Sequence, residues 1–296
     1  MTERIDVEFP SGSQTCRGWL YRPDGPGPAP VLVMAHGLGA IKEMRLDAFA
    51  QRFADAGYAA LVFDYRHFGD STGEPRQLLD ITLQRQDWSA AVDFARTLPG
   101  VDGSRIVLWG TSFSGGHVIA TAAGRTDIAA VIAQCPFTDG LASVLAMNPV
   151  TLAKLVPRSL ADLLAARRQR PRILVPLAGS PGSLGLMTAP DVLPGYLGLL
   201  PDGVPFRNEV TAGVGLMIAA AFPGRSARRV NSPILFCICD TDSVAPAKAT
   251  VRHARTAPRG ELKHYPVGHF DIYVGDAFER AVTDQLDFLR RHVPLP

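Results

Sequence analysis

Residues 106–116 read Ile106-Val107-Leu108-Trp109-Gly110-Thr111-Ser112-Phe113-Ser114-Gly115-Gly116. The first four are apolar without alternation, which suits a strand buried on both faces. Small residues then break the run, and a helical stretch is expected over 117–123. Strand, tight turn and helix is the context of a nucleophile elbow, with Ser112 held in a strained conformation above the end of the sheet. The helix that follows aims free N–H groups at the same place, where they favour negative charge. In the frame G-x-S-x-G, Ser114 stands where the second glycine belongs. Serine is the next smallest choice and Gly115 follows at once, so the turn remains feasible. Ser114 is a rival nucleophile in the frame Ser112-x-Ser114-x-Gly116. The expected offset of two residues from the glycine ending the strand selects Ser112. The bland alternative is a glycine-rich helix start or a phosphate cradle, but the segment matches neither G-x-x-x-x-G-K-[ST] nor G-x-G-x-x-G.

Similar apolar runs lie on either side, at 31–34, 59–63, 128–133, 234–238 and, more weakly, 262–265. Between them, Leu46, Phe49, Ala50 and Phe53 recur at helical spacing, as do Trp88, Ala91, Val92 and Ala95, and Val282, Leu286 and Leu289. Strand alternating with helix predicts an α/β fold with a mostly parallel sheet and helices on both faces. The stretch 23–30, Pro-Asp-Gly-Pro-Gly-Pro-Ala-Pro, reads as a rigid connector. The rhythm stops at 140–229, where amphipathic helices (one over 151–168, around a kink at Pro157) and a short strand near 173–177 are expected. A structureless loop of that length would be anomalous, so 140–229 is read as an inserted cap subdomain on a core of 1–139 and 230–296.

A serine needs a base to take its proton and a carboxylate to orient that base. Asp240 and Asp242 follow the strand 234–238 at the edge of the sheet where ligands bind. Asp242 lies further into the loop and is preferred; Asp240 reads as a turn residue. His269 sits in the loop after 262–265, and an unperturbed histidine titrates near ~6.5. His253 and His292 fall on helices, His264 on the strand, and His117 inside the helix after the elbow, where a packed histidine is the better reading. An oxyanion hole is expected from the backbone N–H groups of Leu38, in Ala35-His36-Gly37-Leu38-Gly39, and of Phe113. His36 supports that loop or lines the pocket.

Composition narrows the class. The chain has 296 residues, 47% apolar and 20% charged, with 30 Lys and Arg against 28 Asp and Glu. That leaves material for a large core and no dedicated nucleic-acid surface. The longest apolar stretch, 210–222, is too short to span a membrane. The charged N-terminus lacks a secretory h-region. Cys16, Cys135, Cys237 and Cys239 lack metal-site spacing, and Cys237 and Cys239 share a strand face as small core residues. The expectation is a cytoplasmic protein without metal or cofactor.

With the motifs assembled, the chain resembles the α/β-hydrolase superfamily, through HGLG (36–39), DYRHFGDS (64–71), GTSFSGG (110–116), CDTDSVAP (239–246) and GHFD (268–271). The resemblance is greatest to the bacterial branch near dienelactone-hydrolase-like and X-Pro-dipeptidyl-peptidase-like hydrolases. It implies an eight-stranded, mostly parallel sheet, Ser112 as nucleophile, Asp242 as acid, His269 as base, and a cap inserted after strand 128–133. The expected substrate is a small ester-like molecule with an apolar acyl or alcohol part. A thioesterase, amidase, peptidase or C–C bond hydrolase would use the same triad. A non-catalytic binding protein should have lost one of its members. Leu145, Met187, Tyr196, Met217 and Phe270, with His36, are the pocket candidates, and Met147 and Leu186 belong to the same apolar set. For any one of them, membership of the cap's own core competes with a pocket role. The basic run Arg167, Arg168, Arg170 and Arg172 reads as a solvated helix end. A homodimer is among the oligomeric states left open.

Overall fold

The computed structural model describes residues 3–25 and 27–295. Pro26, in the connector read at 23–30, lies outside the described residues, as do Met1, Thr2 and Pro296. The chain opens with β1 (Glu3–Ser11) and β2 (Gln14–Arg22), an antiparallel hairpin. Next come β3 (Ala29–Ala35), α1 (Leu46–Asp55), β4 (Ala59–Phe63), α2 (Ile81–Ala95), β5 (Val101–Thr111), α3 (Phe113–Ala122) and β6 (Ala130–Gln134). The stretch after β6 holds α4 (Gly140–Ala146), α5 (Pro149–Arg167), β7 (Leu174–Pro176), α6 (Val192–Leu197), β8 (Glu209–Thr211) and α7 (Val214–Ala219), and ends in a 3-10 turn, Pro223–Arg229. The order closes with β9 (Ile234–Cys239), α8 (Ala247–Ala254), β10 (Gly260–Tyr265) and α9 (Gly275–His292).

Eight strands form one sheet in the order β1-β2-β4-β3-β5-β6-β9-β10. β2 runs antiparallel to both of its neighbours, and every other pairing is parallel. Every residue of β3, β4, β6 and β9 is buried, as their unbroken apolar runs require. β1 and β2 alternate between exposed and buried positions, so a search for continuous apolar runs passes over them. α1 and α9 cover one face, where Phe49 packs on Trp109 and Phe278. α2 and α3 cover the other, where Trp88 meets Phe63.

Within 140–229, the strand expected near 173–177 is β7, paired with β8. α5 runs unbroken through Pro157, with Asn148 as its N-cap accepting from the Val150 N–H (2.8 Å) and Pro149 in its first turn. Arg172 leaves the solvated basic run. Its guanidinium grips the buried Asp162 carboxylate with two bonds, at 2.8 and 2.6 Å. Asp162 also accepts from the Ile173 and Gly213 N–H groups, tying α5 to β7 and α7. The turn Pro223–Arg229 packs back on α3 and α8.

Candidate active site

Ser112 joins β5 to α3 with φ 57° and ψ −120°, a left-handed conformation in a non-glycine residue. Such a conformation costs about 1–3 kcal/mol and persists only where its surroundings fix it. Here the Ser112 N–H donates to Gln134 O (2.9 Å), and its carbonyl accepts from the Gly115 and Phe137 N–H groups. A Cβ at Gly110 would lie 2.4 Å from the Ser114 carbonyl oxygen, so the tight turn demands glycine there. Ser114 is fully buried and points into the core. Its Oγ lies 2.7 Å from the Tyr65 hydroxyl, which in turn accepts from Trp88 Nε1–H at 2.8 Å. The departure from G-x-S-x-G thus places a hydroxyl that has its own partner and does not face the Ser112 side.

The structure brings Ser112, His269 and Asp242 together. Ser112 Oγ donates to His269 Nε2 (2.9 Å), and His269 Nδ1 donates to Asp242 Oδ2 (2.6 Å). Both ring and carboxylate are buried. The other Asp242 oxygen accepts from the Val244 and Ala245 N–H groups at 2.8 and 2.6 Å, so the loop after β9 fixes the acid on both sides. Asp240 is excluded from this group and pairs with His264 at the surface (2.7 Å). Burial pulls His269 down, but the Asp242 carboxylate, with smaller help from Cys135 and Asp191, raises it to about 9. The expected value near 6.5 for an unperturbed ring is corrected by these charges, that of Asp242 first. Cys135, close enough to His269 to interact with its charge, is a neighbour that its sequence position does not reveal. Burial raises its thiol, but Cys239 and the charge of His269 bring it down to about 7.

The loop after β3 lies against Ser112. A Cβ on Gly37 would lie 2.7 Å from Ser112 Cβ and 3.0 Å from Oγ, so glycine is required for this approach. Among the described residues, the Leu38 and Phe113 N–H groups have no backbone acceptor. His36 ties the loop down: Nε2 donates to Met44 O (2.8 Å) and Nδ1 accepts from the Gly37 N–H (2.7 Å). Burial pushes it down to about 4, so the neutral ring that this pairing needs is the stable form. His117 is likewise pushed down by burial, to about 3, and sits packed in α3 against Gln84 Oε1 (2.9 Å).

A cavity of about 390 Å³ opens beside Ser112, Leu38 and Phe113. Phe137, Val144, Met147, Leu186, Met187 and Ile218 are among the apolar residues of its wall, and no charged side chain lines it. Ser143 Oγ, in the same wall, is buried without a partner. A recess of about 10 Å³, the volume of one water, lies between Ser112 and His269. Of the six pocket candidates, Met187 borders both spaces, while His36, Tyr196 and Phe270 border only the recess. The Tyr196 hydroxyl donates to Leu38 O (2.8 Å), linking α6 to the β3 loop. Leu145 and Met217 are corrected: they line neither space. Leu145 is on the outer face of α4, 76% exposed, and its neighbour Val144 turns inward. On α7 it is Ile218 that faces the cavity, one residue and about 100° of helix beyond Met217. Phe137, Val144 and Ile218 carry no local sequence signal for this role, because tertiary packing turns them inward. The one group of three converging carboxylates among the described residues, Glu43, Asp64 and Asp70, surrounds the Lys42 ammonium at 2.6–2.8 Å.

The sheet order, the elbow at Ser112 and the helices on both faces make the chain an α/β-hydrolase and an enzyme. Residues 19–174 match the family described as X-Pro dipeptidyl-peptidase (S15 family), and the chain belongs to that family. It is 54% identical to the quorum-quenching protein AidA of Acinetobacter baumannii, over 98% of this chain and 96% of that one. It is 31% identical to the thiohydrolase aneE of Aspergillus aculeatus, over 93% and 88% of the two chains. The crystal structure of the α/β-hydrolase GrgF from Penicillium sp. superposes with a TM-score of 0.82 at 26% identity, covering 99% of this chain and 100% of that one. Among the described residues no helix is long and apolar enough to cross a membrane.

Proposed function

We propose that this hydrolase cleaves a carboxylic ester with an apolar acyl or alcohol part, through Ser112, His269 and Asp242 and an acyl-enzyme. The single observation that carries the reading is the continuous chain of bonds from Ser112 Oγ through His269 to Asp242, opening on an apolar cavity. Ser112 Oγ attacks the carbonyl carbon while His269 Nε2 takes its proton, and Asp242 steadies the imidazolium. The Leu38 and Phe113 N–H groups donate to the oxyanion. His269 returns the proton to the leaving alcohol. Water, for which the recess beside Ser112 and His269 has room, then releases the acyl group.

The absence of charge in the cavity wall supports a neutral substrate over a dipeptide, whose free ammonium would need a carboxylate. The partnerless Ser143 hydroxyl offers one bond to an oxygen or nitrogen of that substrate. A thioester is the second reading, favoured by the relative named a thiohydrolase, since the same geometry serves both leaving groups. We take 140–229 as the cap, because it supplies much of the cavity wall. The four cysteines, all free and buried, support a reduced compartment such as the cytoplasm.

The test is labelling with a fluorophosphonate probe followed by a screen of p-nitrophenyl esters and matching thioesters of increasing acyl length. The expected result is a label on Ser112 and a kcat/KM that rises with chain length until the cavity is full. Each buried CH2 contributes up to ~0.8 kcal/mol, roughly fourfold. An unlabelled Ser112, or activity on acetyl esters alone, would overturn the reading.

A further inference from the structure

Among the described residues, eight large apolar side chains are strongly exposed, and six of them, Leu141, Leu145, Val150, Val156, Leu160 and Leu164, lie on α4 and α5. The buried side of α5 is made by Thr151, Leu155, Ser159 and Asp162. On the opposite side, Val150, Ala153, Pro157, Leu160 and Leu164 form one exposed row. At 100° per residue, Lys154 and Arg158 fall along one border of that row and Arg167 along the other. Arg168 closes the row at its C-terminal end, and Arg170 follows the helix. All five cations are exposed. The side chains of Lys154 and Arg158 donate to the backbone carbonyls of Gly182 and Lys154, and among the described residues no carboxylate pairs with any of the five. The only acid between 140 and 190 is Asp162, which is buried and held by Arg172. The formal net charge of the whole chain is only +2. The rest of the chain is therefore net negative, and unpaired positive charge is gathered around this apolar face.

We infer that the outer face of α4 and α5 docks on an anionic lipid bilayer, with α5 lying in the plane of the headgroups. A helix in that position turns Leu and Val toward the acyl chains and borders them with Lys and Arg, whose apolar stems let the charge reach the phosphates. A second copy is opposed by charge, since two such faces would bring cation to cation with no acid between them. Area opposes a folded protein partner. α5 is 19 residues long, so its face covers roughly 300 Å² in projection, about 28 Å by one helix diameter. That is well under the ~800 Å² per partner of a standard protein interface. A bilayer has no such requirement: it closes around each side chain that enters it, and its phosphates meet the cations in any register. Ser143 and Val144 of α4 line the cavity beside Ser112. Docking therefore holds that cavity one helix away from lipid, in which an apolar ester dissolves. This consequence rests on the ester reading; the docking itself does not.

The test is sedimentation of the whole chain with vesicles of phosphatidylcholine containing phosphatidylglycerol, and with vesicles of phosphatidylcholine alone. Binding is expected to the first, and to weaken when salt is raised from about 0.1 to 0.5 M. Arg158→Gln with Arg167→Gln should weaken it roughly 25-fold, at about fivefold for each cation lost near an anionic surface. Leu160→Gln with Leu164→Gln, which leaves the charge unchanged, should weaken it by about tenfold or more. Both variants should unfold at the temperature of the parent, since all four side chains are exposed. A chain that sediments with neither vesicle overturns the inference and leaves the face to an acidic protein. Equal binding to the uncharged vesicle, or binding indifferent to either pair of substitutions, also overturns it. So does a concentration-dependent dimer, without vesicle binding, that the two leucine substitutions dissociate. Because turnover is not measured, none of these results bears on the ester reading.

Discussion

Gly37→Ala perturbs the candidate site without removing any reacting atom. The added methyl would sit 2.7 Å from Ser112 Cβ, and ordinary contact begins at 3.4 Å, so one side must retreat by about 0.7 Å. Ser112 is the less able to move: its φ is 57°, its N–H is bound to Gln134 O, and α3 begins at the next residue. The loop at 36–39 must yield, and Leu38 N–H moves with it. If that N–H is an oxyanion donor, its loss costs about 2.7–4 kcal/mol of transition-state stabilisation, or 10²–10³ in kcat. Overpacking should also cost the fold about 1–3 kcal/mol. The assay is kcat and KM on a p-nitrophenyl ester, with thermal unfolding alongside to show that the variant is folded. A fall in kcat of at least 10²-fold with KM little changed is expected. A folded Gly37→Ala enzyme with kcat within twofold of the parent would refute the reasoning.

Three other predictions concern the same site. Ser112→Ala should lose at least about 10⁴ in turnover while unfolding normally. Ser114→Ala should stay active but lose about 1–3 kcal/mol of stability by removing the buried acceptor of the Tyr65 O–H, which keeps only its bond from Trp88; reversed results would move the elbow by two residues. Asp242→Asn should lower kcat by roughly 10⁴ through the loss of imidazole orientation, and Asp240→Asn, at a surface pair, should be near neutral; equal losses would remove the assignment. The pH profile of kcat/KM should rise through a limb near 9, because His269 is raised and must be neutral to act as a base; a limb at or below the ordinary histidine range would contradict the Asp242 contact.

How much could be read from the chain differs by element. β3, β4, β5, β6 and β9 are legible because burial on both faces leaves apolar runs that interruption by polar residues would destroy. β1 and β2 are legible only through resemblance, since one face of that hairpin meets solvent. Ser112, Asp242 and His269 stand out because each follows a strand at the same edge of the sheet, and strand order is enough to bring such loops together. The cavity wall is another matter. On helices of six or seven residues such as α4 and α7, an error of one position turns a side chain by about 100°. Leu145 therefore exchanges roles with Val144, and Met217 with Ile218.

The histidines show why the edge of the sheet, and not the residue type, carries the chemistry. His36, His117 and His269 are all buried, and burial alone disfavours the charged ring in each. The ring nitrogens of His36 meet only backbone atoms and that of His117 a neutral amide, so neither has an anion to offset burial and both are driven down. His269 has the same burial but a carboxylate at 2.6 Å, whose charge, with smaller help from Cys135 and Asp191, reverses the direction of the shift. A ring that can take a proton inside the protein, and hold it while a bond breaks, must have such a partner. The other two would pay the whole desolvation cost of the charge. The second Asp242 oxygen is bound by two N–H groups of its own loop. The carboxylate is thus held from the loop on one side and from the imidazole on the other. The loop Asp242–Ala245 is therefore as much a part of the base as the imidazole. A substitution that straightens that turn, leaving Asp242 itself in place, should weaken His269 as surely as removing the acid.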